Sequence, residues 1–142
     1  MVGSTIARET DAGVYNHAGP EVAVASTKAF ISEVVVFVLI TLLLARERGM
    51  TVAKGSEIIQ ALEALPTILE TMLDDTKDIK ALAEKYADYK DMMFIGRKSH
   101  QPIAFEGALK LKEVTYIHAE AYAAGELKHG PIAMLDLSLI HI

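Results

Sequence analysis

An α/β fold, rich in helix and forming only part of a larger sheet assembly, is what this sequence predicts. Three observations lead there. A short continuous apolar run, Met92–Gly96 (MMFIG), ends at glycine and leads through a polar loop to a helix opened by Pro102. That is the strand–loop–helix step of an open parallel sheet, where ligands bind beyond the carboxyl end of the strand. Helical periodicity recurs in four or more stretches, against two or three strand candidates. The chain also opens in what reads as the middle of a strand. The expected arrangement is the end of one α/β unit, a helical connection, and the start of a second.

Met1–Ser4 reads as the tail of a strand and Gly13–Tyr15 as another, with Ala18-Gly19-Pro20 marking a loop. Ser26 or Thr27 stands where an N-cap belongs, and a long helix runs from there to about Glu47, stopping near Gly49. Thr51–Leu73 carries a second helical pattern that Pro66 is expected to interrupt. Asp78–Tyr89 carries a third, with Ile79, Leu82 and Tyr86 on one side and charges opposite. After the strand Met92–Gly96 come the helix Pro102–Ile117 and the Ala/Gly-rich piece Ala119–Gly125. No internal repeat or low-complexity tract interrupts this order.

Composition excludes several functions. With 51% hydrophobic and 23% charged residues, the 142-residue chain is globular rather than disordered. A net charge of -5 without any basic run argues against a nucleic-acid partner. The absence of cysteine rules out disulfides, thiolate metal sites and a thiol nucleophile, and fits a cytoplasmic origin. MVGSTIARETDAG lacks the apolar core of a signal peptide. The run Val34–Ala45 (VVVFVLITLLLA) spans 12 residues between Glu33 and Arg46, short of the about 20 that cross a bilayer. It is read as a helix buried on most sides, in a core or a subunit interface, and no membrane is expected.

The chemistry concentrates in Glu106–Pro131. Glu106, Lys110 and Glu113 fall within about 60° of one another around a helix, while Phe105, Leu111, Val114 and Tyr116 cover much of the remaining girth. Two readings stand. One is a set of surface ion pairs worth a few tenths of a kcal/mol each. The other makes Glu113 a base in a partly desolvated pocket, held in check by Lys110 and suited to moving a proton between adjacent carbons of a carbonyl compound.

In Gly125-Glu126-Leu127-Lys128-His129-Gly130-Pro131, a short helical turn closed by Gly-Pro holds His129 rigidly at an element's end. An imidazole so placed can exchange protons near neutral pH. His118 is a weaker candidate, and His17, His100 and His141 lack supporting company. No histidine or carboxylate pair has metal-ligand spacing, so no metal is expected. At Val24-Ala25-Ser26-Thr27-Lys28, a helix N-terminus with two hydroxyls and a cation is ready for an anion or sugar hydroxyls, or is an ordinary cap. Lys28 favours the former, because a cation in the first turn opposes the macrodipole and gains from a nearby anion.

Two segments, RETDAGVYNHAGPEVAVASTKAF within Ala7–Phe30 and PIAFEGALKLKEVTYIHAEAYAAGELKHGPIAML at Pro102–Leu135, closely resemble the isomerase part of the glutamine–fructose-6-phosphate aminotransferase (isomerizing) family, the glucosamine-6-phosphate synthases. The resemblance covers nearly all of Val2–Leu135, loosely across Thr51–Asp91. It implies two flavodoxin-like sugar-isomerase (SIS) subdomains, each a three-layer parallel sheet. Residues 1–50 would be the C-terminal part of the first, 51–90 a helical connection, and 91–142 the N-terminal part of the second. The family converts fructose 6-phosphate and the amide nitrogen of glutamine to glucosamine 6-phosphate, without metal or organic cofactor. By motif, Glu113 resembles the base acting between C1 and C2, and Lys110 its assistant at the sugar oxygens. His129 resembles the ring-opening histidine that reaches into the neighbouring subunit's site of a homodimer. Val24 and Ser26, with Thr27 and Lys28 beside them, lie at the sugar-lining helix start.

The chain also departs from that family. It lacks the nucleophilic cysteine of the glutaminase domain, the family's phosphate-holding Ser/Thr loop would lie upstream of Met1, and its C-terminal lysine would lie beyond Ile142. The expectation is therefore an inactive fragment, whose tail Leu137–Ile142 leaves the family pattern. The rivals are another SIS-type sugar-phosphate isomerase or deglycase, and a non-catalytic sugar-phosphate-sensing module.

Overall fold

The structure, a computed structural model, describes residues 3–135. Its elements are α1 (Thr5–Glu9), α2 (Lys28–Glu47), α3 (Val52–Asp74), α4 (Lys77–Tyr86), β1 (Asp91–Gly96), α5 (His100–Thr115) and β2 (His118–Ala123), then 3-10 turns at Leu127–His129 and Pro131–Met134. The chain divides into two compact units, Met1–Leu82 and Ala83–Ile142. The tail Leu137–Ile142, with His141, lies outside the described residues.

In the first unit, two sequence expectations are corrected. Of the expected strand Met1–Ser4, Met1 and Val2 lie outside the described residues, and Gly3 and Ser4 are not strand: the Ser4 hydroxyl accepts from the Ala7 amide at 3.4 Å and caps α1. Gly13–Tyr15 forms no strand either. Two residues of β propensity, Val14 and Tyr15, after a glycine cannot hold a strand without a partner ladder for their amides and carbonyls. From Lys28 the helical periodicity is realised in full. α2 ends as a Schellman motif, with Gly49 at φ 94°, its amide bonded to Arg46 and the Met50 amide to the Ala45 carbonyl. Thr51 then caps α3 through its hydroxyl. Gly55 lets α3 approach α2, since a Cβ there would stand 3.3 Å from Arg46 Cδ and 3.7 Å from Leu42.

Pro66 does not break α3, which continues from Val52 to Asp74. Proline removes one backbone bond and crowds the preceding turn, but the good helix formers Ala61, Leu62, Leu65 and Leu69 carry the helix past it. The burial expected for α2, in a core or a subunit interface, is not supplied by the described residues of this chain. Only Leu42 is buried, and Phe37 is 67% exposed. With Lys28–Glu47 fully helical, α2 is also long and apolar enough to cross a membrane, a property it shares with the core helices of soluble proteins.

The second unit is a β1–α5–β2 step. The strands pair in parallel, in register from Asp91 opposite His118 to Gly96 opposite Ala123. Here the strand–loop–helix reading is realised, with β1 one residue longer. Pro102 falls in the first turn of α5, where its missing N–H costs nothing. The helix stops at Thr115 rather than Ile117, because Tyr116 adopts the left-handed conformation at φ 61°.

The piece left unassigned, Ala119–Gly125, supplies most of β2. Small residues join helix to sheet: Ala108 is 2% exposed and Ala119 0%. The Phe94 ring lies against Gly107, where a Cβ would come within 3.1 Å of it. Gly96 is the tightest point, since a Cβ there would meet the His100 carbonyl oxygen at 2.2 Å and Gln101 Cα at 2.6 Å. Those atoms are backbone and cannot swing aside. Gly96→Ala should therefore cost about 2–3 kcal/mol. Gly13→Ala, which meets nothing within 4 Å, should change stability by less than about 0.5 kcal/mol. Urea midpoints of the two variants measure the difference.

Candidate functional site

The Glu106–Lys110–Glu113 stripe forms as the helical spacing requires. Lys110 Nζ stands 2.8 Å from Glu113 Oε2 and 3.4 Å from Glu106 Oε1, with side chains only 22–28% exposed. That is neither a solvated surface pair nor a dry core pair. Glu113 Oε2 is shielded from solvent and accepts no well-aligned hydrogen bond among the described residues, so the ammonium is its charge partner. The bond to Glu113, helped by Glu106 and opposed by burial, raises the Lys110 ammonium above the ordinary lysine range. A raised folded value places its stabilising effect below the ordinary lysine pKa, to be lost as pH rises through the raised one. The cation is thus in place at neutral pH.

Direction matters as much as distance. Ala104, Ala108 and Gly107 mark the face of α5 that meets the sheet. Glu106, Lys110 and Glu113 lie about half a turn away from it, facing outward. α5 runs back antiparallel to the strands, so Glu113 sits near their amino ends. His129 follows β2 and sits beyond the carboxyl ends, roughly 17–20 Å away by strand length. The second unit does not bring these two predicted residues together.

His129 closes its 3-10 turn, with its amide bonded to the Glu126 carbonyl at 3.0 Å and Gly130 at φ 141° behind it. Only glycine takes that angle without strain, which fixes where the turn ends. His118 has more company than its sequence neighbourhood suggested. Nδ1 lies 3.0 Å from Asp91 Oδ1 across the strands and Nε2 3.5 Å from Glu120 Oε1. The Tyr122 hydroxyl donates to Glu120. That bond, opposed by burial and aided by the nearby His118, holds the Glu120 carboxyl below its usual range, and the same bond with burial raises the Tyr122 phenol. The period-2 pattern His-Ala-Glu-Ala-Tyr-Ala carried this signal, for it puts His118, Glu120 and Tyr122 on one strand face.

In the first unit, the α2 start has an anion already, and it belongs to the chain. The Glu21 carboxylate accepts from the Thr27 amide at 3.0 Å and the Ala29 amide at 3.2 Å. These backbone donors, with Ser26 and Lys28, hold the Glu21 carboxyl below its usual range. Lys28 Nζ donates to the Pro20 carbonyl at 2.6 Å. Neither Ser26 nor Thr27 acts as the side-chain cap of α2. Val24 is 90% exposed beside them. Glu21 went unnoticed in the sequence because a cap six residues upstream has no fixed spacing. No cluster able to hold a metal ion exists among the described residues.

Residues 85–140 match the SIS domain family. The chain is 48% identical to a glutamine–fructose-6-phosphate aminotransferase (isomerizing) of Escherichia coli strain K12 over 137 residues, 96% of this chain and 22% of that protein. Its Thermotoga maritima counterpart is 49% identical over 96% of the chain and 23% of its own length. The C-terminal domain of glucosamine-fructose-6-phosphate aminotransferase from Francisella tularensis superposes with a TM-score of 0.89 at 40% identity, over 94% of this chain and 38% of that one. A Clostridium difficile 630 structure assigned as a phosphosugar isomerase gives 0.83 at 25% identity, over 96% and 39%. The chain therefore spans under a quarter of the curated relatives it matches, and its α/β class with a parallel sheet is that of SIS isomerase domains.

Glu21 gives this chain a measurable pH dependence. A folded value below the usual one means its stabilising bonds are present above the ordinary carboxylate pKa, and are lost as pH falls through the lowered value. Amide-exchange protection at Thr27 and Ala29, corrected for intrinsic rates, should decline across that acid range. Glu21→Ala should lower this protection at neutral pH and remove its acid dependence.

Proposed function

We propose that this chain is isomerase-domain sequence from an enzyme that makes glucosamine 6-phosphate from fructose 6-phosphate and the amide nitrogen of glutamine. The observation that carries this reading is Glu113. Its half-buried carboxylate has one oxygen screened from water, with the Lys110 ammonium at 2.8 Å, in a segment that matches the SIS family. The identity of 48–49% to aminotransferases against 25% to the structure assigned as a phosphosugar isomerase favours the aminotransferase over the simpler isomerase.

In this reading Glu113 takes a proton from C1 of the imine formed at C2 of the ketose. The C–H electron pair becomes the C1–C2 double bond, and the former C=N pair withdraws onto nitrogen, which gains a proton. The carboxyl then returns its proton to C2, and loss of the C1 hydroxyl proton leaves an aldehyde. Lys110 keeps Glu113 charged and paired between these steps, and reaches the sugar oxygens. Val24, Ser26, Thr27 and Lys28 line the sugar. His129 opens the ring in a neighbouring subunit's site, which suits its distance from Glu113 in its own unit. No step needs a metal or an organic cofactor.

The complete enzyme is a cytoplasmic homodimer. It adds a glutaminase domain that supplies ammonia, a phosphate-holding loop, and the lysine that attacks the ketose carbonyl. Its partner is a small sugar phosphate, with neither nucleic acid nor membrane involved. Residues 1–50 belong to the first SIS subdomain, 51–90 to the connection, and 91–142 to the second.

Glu113→Gln in the complete enzyme carrying this segment tests the assignment. Sugar isomerisation should fall by at least about 100-fold while glutamine hydrolysis stays near wild type. Parallel loss of both activities would point to a folding defect and remove the carboxylate from the chemistry.

A further inference from the structure

We infer a phosphate-type oxyanion site at the carboxyl ends of β1 and β2, separate from the Glu113 stripe. An open cavity of about 330 Å³ there is lined by Arg97, Ala124, Gly125, Leu127, Lys128 and Ile132. Its lining holds two cations and no acid. Neither Arg97 nor Lys128 has a salt-bridge partner among the described residues. Glu126 lies on the same loop but is not among the residues lining the cavity. In a chain of net charge -5, two cations around one hollow with no acidic partner among the described residues repel each other unless an anion sits between them.

The backbone supplies further donors. The amides of Gly125, Leu127 and Lys128 take no backbone partner among the described residues, although the neighbouring Ala124, Glu126 and His129 amides all do. These three residues all line the cavity. Arginine offers a planar fork that matches two oxygens of a phosphate, and lysine adds a point charge. The carboxyl end of a parallel sheet is also where such folds receive ligands. The site lies roughly 20 Å along α5 from Glu113, counting helical rise from the start of that helix. Its occupant is therefore not held by the Glu113 of the same unit.

The ligand chemistry is a phosphate group, either free or as the ester of a small metabolite. Lysine acylation followed by peptide mass spectrometry tests it in the complete enzyme at constant ionic strength. With inorganic phosphate as probe, acylation of Lys128 should slow saturably, by roughly tenfold when phosphate is about ten times its dissociation constant. Lys112, which lines no part of the cavity, should label at an unchanged rate. Arg97→Gln should abolish the protection and Arg97→Lys should restore part of it. Glucose 6-phosphate acting at much lower concentration than phosphate would identify an ester as the occupant, and equal potency would identify free phosphate. Lys128 labelling that ignores both anions, or protection undiminished in Arg97→Gln, would overturn the inference.

Discussion

How closely α5 can lie on β1 and β2 decides most of what the second unit does. The contact is built from side chains with almost no bulk: Ala104 and Ala108 on the helix, Ala119 on the strand, and glycines at 96 and 107. Small residues bury little apolar area each, so they contribute stability by letting backbones and one large ring, Phe94, pack without gaps. The price is intolerance. At Gly96 the strand turns into the helix so sharply that even a methyl group would overlap the next turn's backbone. Once that face of α5 is fixed on the sheet, the opposite face must carry Glu106, Lys110 and Glu113.

An outward-facing charged stripe that is nevertheless three-quarters shielded has a particular electrostatic character. Water is near enough to keep three charges tolerable, and far enough to leave one Glu113 oxygen without a hydrogen-bond donor besides the ammonium. Full burial of such a triad would carry a large desolvation penalty, and full exposure would leave its ion pairs worth little. Lys110, paired with two carboxylates, keeps the local charge low.

The first unit presents the complementary case, in which sequence character exceeds what the chain can bury. α2 is apolar around its whole circumference, yet little but Leu42 is covered, by α3. Helices apolar on every side belong inside large proteins or in membranes. By length and hydropathy α2 meets the requirement for either setting. At the polar end of the same helix, Glu21 shows how a chain uses its own carboxylate where an external anion could bind. A ligand approaching Ser26 and Thr27 must share those amides with it or displace it.

Much of this protein was legible before any coordinates. Periodicity placed α2, α3, α4, β1 and α5 within a few residues, because a helix face or a buried strand leaves its period in the order of apolar residues. Spacing alone put Glu106, Lys110 and Glu113 on one stripe. Local order could not reveal β2, whose alanines carry little strand propensity and whose pairing with β1 spans 27 positions from Asp91 to His118. Nor could it exclude a strand at Gly13–Tyr15, which needed a partner to exist. The sequence by itself determined which residues could share a face. Only tertiary structure decided that Glu113 and His129 lie at opposite ends of the sheet, that Glu21 occupies the α2 amides, and that Arg97 and Lys128 line one hollow. Those outcomes depend on contacts between segments far apart in the chain, and such contacts leave no period in the sequence to read.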